Sequence, residues 1–199
     1  MDKKERFQIA LLPIAIYFLI RALLEPENFL SYHGIYEVHV LAISFSLLIF
    51  PAVYIYLKNQ ELRILCCKKA FILGFIAYLP FLPLFLFLFG PVLGASGKGL
   101  DLLKLLFLMC INVSAVDFYV WRIWQESFGR IFGLLAWILI HFPESSLLIQ
   151  FGIEKVAFFM LLSGITFSEV YKRYKCVGGL MTGHVAINVG MALIRGEWW

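Results

Sequence analysis

The sequence predicts an all-α fold, a polytopic membrane helical bundle of about seven segments, one of them short or broken near His141. Three observations carry that expectation. Hydrophobic residues make up 62% of the 199-residue chain and charged residues only 15%, with a mean hydropathy of +0.87, far from the balance of a soluble domain. The apolar residues gather in runs close to the roughly 20 that a bilayer crossing requires. Lys and Arg fall mostly in the short stretches between those runs.

The first run, in MDKKERFQIALLPIAIYFLIRALL, follows a basic start, as a signal peptide would. It is long, has Arg21 at its end and lacks a small-x-small cleavage site, so it reads as a retained span. Segments are expected at about 7 to 24, 37 to 57, 70 to 93, 101 to 125, 129 to 142, 149 to 171 and 177 to 195, each set by its apolar length. The fifth, GRIFGLLAWILIHFPES, is apolar for only about 14 residues before Pro143, which disfavours helix at the residue before it. It is expected to stop short of the far interface, with His141 at the stop. No segment repeats another and no linker separates domains, so a single transmembrane domain over residues 1–199 is expected. The first three spans read as generic.

Placing the N-terminus in the cytoplasm puts Lys3, Lys4, Arg6, Lys58, Arg63, Lys68, Lys69, Arg130, Lys172, Arg173 and Lys175 on one side. The opposite loops keep Glu25, Glu27, Glu144 and Lys98. The chain is thus expected to be a multi-pass integral membrane protein of a bacterial or archaeal cell membrane, in contact with the lipid bilayer. A net charge of +4 without a basic stripe argues against nucleic acid as partner. The four cysteines show no regular spacing, so neither a disulfide framework nor a zinc site is signalled. Cys66 and Cys67 before Lys68 read as small interfacial apolar residues, with acylation the less favoured alternative.

Polar groups inside apolar spans are costly and are functional candidates by default. Asp117 and Arg122 lie in SAVDFYVWRIW, His141 in WILIHFP, and His184 with Asn188 in GGLMTGHVAINVGMAL. At 1.5 Å per residue, Asp117, His141, His184 and Asn188 fall about 10 to 18 Å from the cytoplasmic ends of their segments, in one slab. His184 and Asn188, at i and i+4, share a helix face. A carboxylate and an imidazole to take a proton from water, with a second imidazole and an amide to hold a developing oxyanion, are the equipment of peptide hydrolysis without a covalent intermediate. Glu169 is placed to reach Arg173 one turn on.

These residues resemble the motifs of the CPBP or ABI family of intramembrane proteases, which includes CAAX prenyl endopeptidases. The family pattern EExxxR, FxxxH and HxxxN is matched by DFYVWR (Asp117 to Arg122), WILIH (Trp137 to His141) and HVAIN (His184 to Asn188), over about residues 113–195. Asp117 stands for the first glutamate, Phe118 for the second, and Trp137 for a packing phenylalanine. The resemblance implies an intramembrane endopeptidase acting on a membrane-associated protein or peptide substrate. In it, Asp117 and His141 activate water and His184 and Asn188 hold the oxyanion. Arg122 has lost its usual acidic partner, and Glu126, four residues on, is expected to replace it in orienting the helix.

No cofactor is expected. Asp117, His141 and His184 form an alternative open metal-ligand set, against which the lack of an HExxH helix and the resemblance both weigh. A catalytically silent scaffold or immunity protein is the rival reading, supported by the missing second glutamate. Transport is disfavoured by the absence of internal repeats.

Overall fold

The computed structural model describes residues 2–24, 36–89, 102–141 and 152–195, and among them every regular element is a helix. In chain order these are α1 (Lys3–Leu24), α2 (Tyr36–Ile43) continuing through a π-helical stretch (Ser44–Ile49) into α3 (Phe50–Leu57), then α4 (Lys68–Ile76) and α5 (Phe81–Phe89). There follow α6 (Leu102–Asp117), a second π-helical stretch (Phe118–Gln125), α7 (Glu126–Phe128), α8 (Arg130–His141), α9 (Ile153–Tyr174) and α10 (Val177–Arg195). Three helical stretches, Lys3–Leu24, Val40–Leu57 and Lys68–Leu88, are long and apolar enough to cross a membrane, and Arg130–Ile140 is a shorter apolar helix.

The third of those stretches is interrupted. Pro80 brings no amide hydrogen, and its ring disfavours helix at the residue before it. The backbone answers with short-range turns: Tyr78 N–H donates to Phe75 O at 3.2 Å, Leu79 N–H to Ile76 O at 3.0 Å and Phe81 N–H to Tyr78 O at 2.9 Å. Helix resumes at Phe81, with Pro83 in its first turn, where a missing donor costs little. The break leaves Tyr78 facing inward with 1% of its surface exposed.

Glycines set the tightest crossing. A Cβ on Gly178 would lie 2.0 Å from the Ile64 carbonyl oxygen, one on Gly179 2.3 Å from that of Phe71, and one on Gly183 2.7 Å from that of Phe75. No side chain fits there, so α10 lies backbone to backbone on α4, the close approach that small residues permit between helices in lipid. The amide of Val177 donates to the Arg63 carbonyl at 2.9 Å and joins α10 to the loop before α4. Lys175, at φ 51°, makes the left-handed turn that ends α9.

Cys66 and Cys176 are joined by a disulfide, with their Cα atoms 5.8 Å apart. This corrects the expectation that no disulfide is signalled. The two residues are 110 positions apart, so no spacing reveals the pair; the α4–α10 crossing creates it. Cys66 is therefore closed to acylation, while Cys67 is an exposed free thiol.

The core is aromatic. Trp121, Tyr78, Tyr119, Tyr171, Phe118 and Phe167 are among its most completely buried side chains. Trp121 and Trp137 stack at 5.4 Å between centroids, and the ring of Phe167 meets both edge-on. The hydroxyl of Tyr119 donates to the carbonyl of Ala10, which ties α1 to the second π-helical stretch. Gly164 lets α9 close on Leu134 and Trp137 of α8.

Candidate functional site

Asp117 is the last residue of α6 before the winding widens, and it is fully buried. Its carboxylate collects three partners from three parts of the chain. The Tyr78 hydroxyl donates to Oδ1 at 3.1 Å and lies 3.3 Å from Oδ2, while Trp121 Nε1–H donates to Oδ1 at 3.0 Å. Nδ1 of His184 lies 3.2 Å from Oδ2. A carboxylate accepts only where it is ionised, and in that state the contact is His184 Nδ1–H donating to Oδ2.

Rings hold the geometry. Tyr78 is sandwiched between Phe167, at 3.6 Å between centroids, and His184, at 5.0 Å, both nearly parallel to it. Trp137 leans on His184 at 5.4 Å and is itself fixed by Nε1–H donating to the Met160 carbonyl at 3.2 Å and to Ser163 Oγ at 3.3 Å. His184, 8% exposed, is thus confined by rings and steered by a carboxylate. The small-residue stretch before it serves this placement, since Gly179 and Gly183 bring α10 close enough to α4 for His184 to stack on Tyr78.

Two of the residues expected to converge, Asp117 and His184, are in direct contact. Asn188 lies one turn beyond His184 on α10 and is partly buried, and its side chain makes no hydrogen bond to the side chain of either. α8 is described as far as His141, one turn after Trp137; the stop expected there falls on residues outside those described, as does the His141 side chain. Among the described residues no three His, Cys, Asp or Glu side chains gather to hold a metal ion, and His141, a member of the alternative ligand set, is outside that search.

Arg122 departs from expectation. Its Nε–H and Nη2–H donate to the carbonyl of Glu61 at 3.0 and 2.6 Å, rather than to the Glu126 carboxylate. Glu126 is held instead by Lys175 Nζ at 2.5 Å, with Arg63 Nη1 at 3.7 Å. Arg122 still orients its helix, through the loop before α4. The expected Glu169 to Arg173 pair is present at 2.8 Å, and Glu169 also meets Arg130 at 3.0 Å.

Tyr78, Trp121 and the Glu61 carbonyl were not foreseen, and Tyr78 overturns the view of the first three spans as generic. Trp121 was available as an i+4 neighbour of Asp117. For Tyr78 the signal was an apolar run interrupted by Pro80 and Pro83, because irregular backbone at membrane depth is tolerated where protein surrounds it. No family model, curated protein or solved structure matches this chain.

Proposed function

We propose that the chain is a multi-pass intramembrane endopeptidase of the CPBP type, with about seven membrane segments and a cytoplasmic N-terminus, acting on a membrane-associated protein or peptide. The observation that carries this reading is the buried contact between Asp117 and His184, two motif positions 67 residues apart. The geometry favours a division of labour different from the one implied by the motifs alone. Asp117 is buried under three donors and is poorly placed to meet water itself. It holds the ring and stabilises the imidazolium that forms when His184 takes a proton from water at Nε2, as the carboxylate does in a hydrolase triad. Asn188, one turn on from His184, and His141, one turn on from Trp137, are the groups assigned to the oxyanion.

The rival, a catalytically silent scaffold, draws on the same burial: a carboxylate that accepts from both Tyr78 and Trp121 is also a structural pin. A cleavage assay in proteoliposomes with a quenched fluorogenic peptide library separates the two. Asp117→Asn, which keeps the shape, and His184→Ala are each expected to lower turnover at least about 10²-fold, the scale of one lost general base. Full turnover in either variant refutes the assignment, and no turnover in the parent protein favours the scaffold.

Orientation is tested at Cys67. The basic loops place its side in the cytoplasm, so a membrane-impermeant maleimide is expected to label it in inverted vesicles and not in intact cells. The opposite pattern reverses the topology and sets the disulfide in an oxidising compartment, where such bonds ordinarily persist.

A further inference from the structure

A groove of about 510 Å³ runs between α8 and α9, lined by Phe128, Ile131, Phe132, Leu134 and Ile165, with Arg130 and Ser168 also on its wall. Its walls are those of a lipid-facing surface: Ile131 is 72% exposed, Phe132 48% and Ile165 44%. Its polar end is built differently. Gly129, at φ 95°, turns the chain sharply and offers no side chain to cap α8, whose first-turn amides, like those of any helix, lack an intrahelical partner. The twelve-residue α8 thus presents the positive end of its dipole beside a cation.

Two further observations point to a ligand with an anionic head. Ser168 is 2% exposed, lies on the groove wall, and its hydroxyl has no hydrogen-bond partner among the described residues. A buried hydroxyl without a partner is costly, and an acceptor in the groove relieves it. The rim also carries excess positive charge. Arg130 and Arg173 share the single carboxylate of Glu169, at 3.0 and 2.8 Å, which leaves the trio at net +1.

We infer that this groove binds an anionic phospholipid of the surrounding bilayer. Its phosphate sits at the start of α8 against Arg130, and one acyl chain lies along Ile131, Leu134 and Ile165. A helix N-terminus with an adjacent cation recognises phosphate, and the apolar wall recognises the chain. The inference rests on the membrane character of the protein and not on its being a peptidase.

Native mass spectrometry of the purified, delipidated full chain tests this directly. Phosphatidylglycerol is expected to bind more tightly than phosphatidylcholine. Arg130→Gln is expected to weaken phosphatidylglycerol about fivefold, the effect of one cation near an anionic head, with phosphatidylcholine unaffected. Ile165→Trp, at a lipid-exposed position that leaves the core alone, is expected to block the chain and lower binding of both. Millimolar inorganic phosphate is expected not to displace phosphatidylglycerol. Equal binding of the two lipids together with an unaltered Arg130→Gln variant overturns the proposal. So does displacement by phosphate alone, which makes the site one for a free anion.

Discussion

Two stretches among the described residues widen from α to π winding, and they use the result in opposite ways. In Ser44–Ile49 the polar groups turn back on their own helix: Ser44 Oγ–H donates to the Val40 carbonyl at 2.5 Å and Ser46 Oγ–H to that of Ala42 at 2.6 Å. In Phe118–Gln125 and the aspartate before it, polar side chains reach elsewhere. Asp117 meets Tyr78 and His184, Arg122 reaches the Glu61 carbonyl, and Gln125 reaches that of Ser168. Irregular winding alone therefore does not mark a site. What marks it is a bulged segment whose polar groups must be completed by distant parts of the chain, because then the site and the fold require each other.

That contrast is open to attack by substitution. Asp117→Ala strips a buried carboxylate from two donors and an imidazole, and is expected to cost about 3–5 kcal/mol of stability, as for breaking a buried charged pair. Its unfolding midpoint in detergent reads the loss. Gly178→Ala pushes a Cβ against the Ile64 carbonyl and is expected to cost about 1–3 kcal/mol through displacement of α10, read the same way. Tyr78→Phe removes one donor from Asp117 but keeps both ring stacks, so about 1–2 kcal/mol is expected, with a fall in any measured cleavage. Ser46→Ala in the first π-helical stretch is expected to change stability by less than about 0.5 kcal/mol, since its hydroxyl serves only its own helix. A Ser46 effect as large as that of Tyr78 would erase the distinction between the two stretches.

The sequence carried the helical class and three long apolar helices, because apolar run length is a strong local signal. It also carried the common depth of Asp117 and His184, which are in contact, although the partner expected for Asp117 was His141, whose side chain lies outside the described residues. What it hid depended on long-range contact. The Cys66–Cys176 bond needed the α4–α10 crossing, which glycines permit but do not announce. The partner of Arg122 was hidden because local spacing shows neither the Glu61 carbonyl brought up by the loop before α4 nor the Lys175 and Arg63 side chains that hold Glu126. Tyr78 was overlooked because a tyrosine in an apolar run carries no charge to draw attention, although the prolines beside it mark the break that turns it inward.

The central claim is that α6 and α10 bring a carboxylate and an imidazole into one interacting pair. A double-mutant cycle of Asp117→Asn and His184→Gln, followed by unfolding in detergent, measures that pairing. Coupling of at least about 1 kcal/mol is predicted, within the range for residues in direct contact. Changes that add to within about 0.3 kcal/mol would contradict it, since independent sites behave that way.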